Sequence, residues 1–184
     1  NHATSQALGG DIKMTQTGNG AIFSDDKIHR YTLSRVTSVK DGGTVLFIML
    51  NPSTATAAED DPTIRRCFRF AQDWGYTNLL VGNLYAFRAT DPKELYMAND
   101  PVGPENDRHL LRMARAANLV VCAWGTMGEL RRRGWMVLWL LKRTNETSIQ
   151  NTGMKTPVRH LGLTKNGQPK HPLYLKANAE RLEF

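Results

Sequence analysis

Two asparagines, a histidine and paired aspartates stand where the apolar pattern of this chain breaks. Asn51 follows the unbroken apolar run Val45–Leu50 and opens the string Asn51-Pro52-Ser53. Asn83 closes a second run, with Tyr85, Phe87 and Arg88 just beyond it. Trp124-Gly125 follows a third run, and His171-Pro172 comes after a fourth. An amide offers both a donor and an acceptor, an imidazole adds an N–H, and aromatic rings add flat faces. Brought together, these groups suit a planar ligand such as a nucleobase, stacked on a ring and hydrogen-bonded along its edge. Each residue also has a plainer role. Asn51 can close an Asx-turn, Asn83 can satisfy a strand end, and Trp124 can fill the core. His171 can lie in an extended surface segment before its proline. Asp60 and Asp61 read as helix caps ahead of Pro62, with Asp60 doubling as a candidate carboxylate base.

Positioning these groups requires strands that end where they stand. Val45–Leu50, Asn78–Leu84 and Leu119–Ala123 are apolar at nearly every position, as strands covered on both faces are. Val158–Leu163 supplies a fourth strand. Ile28–Val39 alternates weakly, and Asp41-Gly42-Gly43 suggests a hairpin feeding into Val45–Leu50. Ile64, Cys67, Phe68, Ala71 and Trp74 recur at helical spacing until Gly75 stops the helix. Further helices are predicted over about 105–117 and 129–143. Strands alternating with helices predict an α/β fold: three layers, a mostly parallel central sheet and helices on both faces. Ligands of such sheets bind outside the carboxyl ends of the strands, where the candidate residues stand.

With 184 residues, 41% hydrophobic and 22% charged, the chain fits one globular domain. Residues 1–13 are small, polar and without period, so they read as an appended or disordered segment. Residues 14–184 read as a single α/β domain. No apolar run reaches the roughly 20 residues that cross a bilayer, and no signal-peptide pattern is visible, so no membrane partner is expected. Cys67 and Cys122 sit among apolar neighbours and read as reduced, buried thiols, consistent with a cytoplasmic protein. The formal charge of +7 and pI near 9.6 favour a polyanionic partner, DNA or a nucleotide, over a merely solvated basic surface. Arg65, Arg66 and Arg69 cluster on one helix and Arg131, Arg132 and Arg133 on another. Arg65, Arg66, Lys165 and Lys170 are the candidate phosphate ligands. No H-x-x-x-H, C-x-x-C, P-loop, G-x-G-x-x-G or G-x-S-x-G string occurs, so no metal or cofactor is expected.

The strings I-M-L-N-P-S, V-G-N-L and K-H-P-L resemble, in order, the motifs of the uracil-DNA glycosylase superfamily. That resemblance implies hydrolysis of an N-glycosidic bond. Asn51 would orient water, Asn83 would read the base edge, and His171 would stabilise negative charge on the leaving base, with Pro52 and Ser53 as candidate substrate ligands beside Asn51. Read from their place at the strand exits, and not from the resemblance, Tyr85, Phe87, Arg88 and Trp124 are further candidate substrate-binding residues. Leu173 stands where that superfamily has serine, and Met49-Leu50 replace its glycine-containing approach. A second resemblance covers nearly the whole chain after Ala21. LNPSTA, DDPTIRRC, NLYAFRATDP, DPVGPEND and LGLTKNGQPKHPLYL are similar to the phage and bacterial family called domain of unknown function 1643, which implies kinship and no activity. Two other readings stay open: a non-catalytic nucleic-acid or nucleotide binder, and an enzyme acting on free nucleosides or nucleotides. Oligomeric state is left open by the sequence.

Overall fold

The computed structural model of the chain describes residues 18–54 and 60–184. The segment 1–13 lies outside the described residues. Six strands form one sheet: β1 (Gly20–Phe23), β2 (Arg30–Val36), β3 (Thr44–Met49), β4 (Asn78–Asn83), β5 (Leu119–Cys122) and β6 (Val158–His160). Among the described residues three α-helices accompany them: α1 (Pro62–Asp73), α2 (Asn106–Ala116) and α3 (Arg133–Thr152).

The strand order is β1-β2-β4-β3-β5-β6. Pairs β4–β3, β3–β5 and β5–β6 are parallel, whereas β1–β2 and β2–β4 are antiparallel. The sheet is therefore mixed, not mostly parallel. The expected hairpin between β2 and β3 does not form either, because β4 lies between them. A tight turn could not bridge two strand spacings, about 4.8 Å each. The seven residues of 37–43 do so by wrapping the start of β4: Thr37 Oγ1 donates to Tyr76 O (2.6 Å) and Gly42 N to Thr77 Oγ1 (2.7 Å).

Alternation along the central strands divides the core. Val45, Phe47 and Met49 of β3 pack with Leu79, Val81 and Val121 against Ile64, Cys67, Phe70 and Ala71 of α1. Leu46 and Ile48 pack with Leu80, Val120 and Cys122 against Leu110, Met113, Val137 and Leu141 of α2 and α3. Each strand buries both faces, which accounts for the unbroken apolar runs. Asp61 caps α1 by accepting Ile64 N (2.8 Å), and Pro62 occupies the first helical position.

Two further expectations are corrected. The third helix starts at Arg133, because Arg131 and Arg132 adopt left-handed backbone (φ 49° and 56°), and it runs on to Thr152. The fourth strand ends at His160, where Gly162 (φ 111°) begins a turn. Among the described residues no helix is long and apolar enough to cross a membrane.

Candidate functional site

The chain leaves β3 toward β4 on one side and leaves β5 toward β6 on the other, so its connections diverge at the carboxyl edge of the sheet. A cleft of about 320 Å³ lies at this edge, lined by Asn51, Ser53, Asp61, Asn83, His171 and Arg30 among others. It sits between the exits of β3 and β4 and the amino end of α1. A neighbouring hollow of about 550 Å³ shares Leu50 and His171 with it and continues past Trp124 and Gly125. A cavity of about 470 Å³ lies at the opposite edge beside Asn118, Asn145 and Thr156. Its asparagines are engaged with the backbone: Asn145 bridges Thr156 O and N, and Asn118 Oδ1 accepts Thr44 N.

Asn51 is held by its amide nitrogen, which donates to Ala89 O (2.9 Å) and Pro52 O (3.1 Å). Pro52 is buried, and its carbonyl also accepts Ala89 N (3.0 Å). Thr54 and Thr90 share a hydroxyl bond (2.7 Å), and Arg88 Nη2 donates to Thr54 O (2.8 Å). The loops leaving β3 and β4 are thus stitched together. Asn51 Oδ1 accepts no hydrogen bond among the described residues. Ser53 Oγ donates to Asp61 Oδ2 (3.1 Å).

Asn83 is only 2% exposed, yet its side-chain amide makes no hydrogen bond among the described residues. Its backbone is firmly held. Asn106 Nδ2 donates to Asn83 O (2.9 Å) and Leu84 O (3.1 Å), and Arg133 Nε donates to Leu84 O (2.9 Å). His171 Nδ1 accepts Leu173 N at 3.4 Å, which in the neutral ring places the proton on Nε2. Burial holds the His171 pKa below the ordinary imidazole value, with Asp61 pulling part of the way back. The neutral ring is the form at neutral pH.

Sequence reasoning missed Arg30, the first residue of β2. It is 4% exposed, and among the described residues its guanidinium makes no hydrogen bond or ion pair. A β-bulge aims it at the cleft. Ile22 pairs with Thr32 but Phe23 pairs with Arg30, so Tyr31 is one residue extra. Arg30 therefore falls in step with Leu33 on the α1 side instead of with Thr32 and Ser34. Nothing in the string RYTLSRV signals this.

Several candidates lie elsewhere. Asp60 pairs with Arg35 (2.7 Å) and lines a separate depression with Arg65 and Arg69. Its neighbour Asp61 is the carboxylate in the cleft. Tyr85 is core, its hydroxyl donating to Leu130 O (2.5 Å), and burial pushes its pKa up to about 12. Trp124 is also core, its indole N–H donating to Gln168 Oε1 (2.8 Å). Phe87 packs edge-on against His29, and Arg88 lies over Phe23 while donating to Lys27 O and Thr54 O. Arg66 is not on a free face: it covers Phe70 and donates to Leu175 O. Arg65 donates to Asp60 O. Arg133 is buried and paired with Asp107, so the Arg131–Arg133 cluster is not one surface patch. Lys165 is exposed outside the cleft, and Lys170 lines the neighbouring hollow. Among the described residues no group of three or more His, Cys, Asp or Glu is placed to hold a metal ion.

Neither the curated proteins nor the solved structures include a match to this chain. A family model described as "Protein of unknown function (DUF1643)" matches residues 30–173, a segment running from Arg30 through His171 and Leu173. The cleft is built within that matched segment, and the chain belongs to the DUF1643 family.

Proposed function

We propose that the cleft hydrolyses the N-glycosidic bond of a base, modified or not, in DNA or a nucleotide. One observation carries this reading: Asn51, Asn83 and His171, from two strand exits and a late loop, line the same cleft. Their order along the chain also supports reading the fold as three-layered and uracil-DNA-glycosylase-like. In this reading Asn83 hydrogen-bonds the base edge. Asn51 Oδ1 accepts a hydrogen from water and aims its oxygen at C1′. The oxygen–C1′ bond forms, the C1′–N bond breaks, and its electron pair leaves with the base. An amide cannot take up a proton at neutral pH, so the water's proton passes to solvent, and the departing base is protonated in turn. The neutral His171 Nε2–H donates to the base as negative charge grows there. Such donors are typically worth about 2.7–4 kcal/mol, and orientation of the water contributes through preorganisation.

The test is release of free base, or formation of alkali-labile abasic sites, across a panel of unmodified and modified DNAs and nucleotides. Asn51→Ala and His171→Ala are each expected to lower the rate at least a hundredfold. Full activity in both variants would refute the roles. A second reading, a non-catalytic nucleotide or nucleic-acid binder, draws on a different observation. Both Asp61 oxygens are already engaged, by Ile64 N and by Ser53. Saturable binding with no base release across the panel selects it.

A further inference from the structure

We infer that the floor of the cleft is a subsite for a compact anion, a carboxylate or a phosphate monoester, held by the Arg30 guanidinium beside the Asn83 amide. The inference deepens the function proposed above and rests on it for the base, though not for the anion. A buried cation without a partner is unfavourable, because its lost hydration is not replaced. Arg30 and Asn83 line one cleft, both nearly inaccessible and neither with a hydrogen-bond partner among the described residues. Arg30 and Asn83 differ from the other orphaned buried groups in lining a cleft together, where a bound anion would satisfy both.

The surrounding charges agree. Asp61 acts on Arg30 through space without forming an ion pair, and its oxygens accept from Ile64 N and Ser53 Oγ. Asp60 is likewise held by Arg35. Burial pulls the Arg30 pKa down to about 10, and Arg88 and Arg35 oppose its charge further, yet it remains protonated at neutral pH. A planar guanidinium presents parallel N–H groups that fit two oxygens of a carboxylate or phosphate. Chemically the ligand is a base carrying a carboxylate, or a mononucleotide whose phosphate reaches the floor.

The experiment compares three probes by calorimetric titration: thymidine, thymidine 5′-monophosphate and 5-carboxy-2′-deoxyuridine. One of the two anionic probes is expected to bind at least tenfold more tightly than thymidine, and which one identifies the source of the anion. Arg30→Met should remove that preference, Arg30→Lys should keep part of it, and Lys142→Met on α3 should leave it unchanged. Without ligand, Arg30→Met should melt at or above the parent temperature, since a buried charge is removed. A lower melting temperature for Arg30→Met would mark Arg30 as structural and overturn the inference. So would equal binding of all three probes, or an anion preference that survives Arg30→Met. Anion binding without base release would retire the glycosidase reading and leave this one standing. Base release indifferent to Arg30→Met would do the reverse.

Discussion

Asn106→Leu tests how the end of β4, and with it Asn83, is held. Asn106 is fully buried at the start of α2, and its amide nitrogen serves the carbonyls of Asn83 and Leu84. Leucine matches its size, so little cavity is created. Orphaning a buried acceptor costs about 1–3 kcal/mol. Leu84 O keeps Arg133, so only Asn83 O is orphaned. Against this stands Asn106 Oδ1, itself a buried acceptor without a partner, whose removal returns about 1 kcal/mol. The net expectation is a loss of up to about 2 kcal/mol, or as much as roughly 8 °C in melting temperature for a domain of this size. Urea unfolding followed by circular dichroism should show a lower midpoint at unchanged slope. Asn106→Asp should cost more near neutral pH, because a carboxylate oxygen then faces two carbonyls. A midpoint for Asn106→Leu above the parent value, or for Asp above Leu, would refute this account.

Three further outcomes are expected. At Gly128 a Cβ would lie 2.1 Å from the Trp124 ring, so Gly128→Ala should destabilise by about 1–3 kcal/mol through overpacking, read from the same urea midpoint. Cys67 and Cys122 are fully buried and their thiol pKa values are pushed well up, so neither should react with a disulfide reagent in the native protein and both should after denaturation. Burial lowers the pKa of His109, stacked on Tyr31, as it does that of His171. The unfolded chain therefore binds protons first as pH falls below about 6.5, and stability present above that value declines. His109→Phe should shrink the difference between urea midpoints at about pH 5 and about pH 7.5, and an unchanged difference would rule out its contribution.

The legible parts of the fold were those that one local rule determines. Burial on both faces leaves the unbroken runs of β3, β4 and β5, and Asp61-Pro62 marks the start of α1 through capping. Partner choice between strands was not local. The run Arg30–Val36 could have paired with β3 or β4, and the deciding bonds come from Tyr76 and Thr77, about forty residues away. At the site, Asn51 and Asn83 could be placed at strand exits because each closes an apolar run. His171, well past the end of β6, was reached through the resemblance of its His-Pro string. Asp60 and Asp61 were not separable by sequence: the chain turns between them, giving one to Arg35 and the other to the cleft. Trp124 and Tyr85 resembled platforms, yet both are core residues that find acceptors, Gln168 and Leu130, that only the folded chain brings near.

The extra residue in β2 makes the cleft's charge a question of parity. Side chains on a strand point alternately to two faces, so adding or removing one residue exchanges them. With Tyr31 present, the arginine at the head of the strand faces the cleft. In a regular strand the three-residue step from Arg30 to Leu33 would put the arginine on the other face, and the bulge at Tyr31 undoes that inversion. Among relatives, then, an aligned arginine alone does not predict an anion at the floor. The count taken together with the bulge does: with two residues between it and Leu33, the arginine reaches the floor only where the bulge persists.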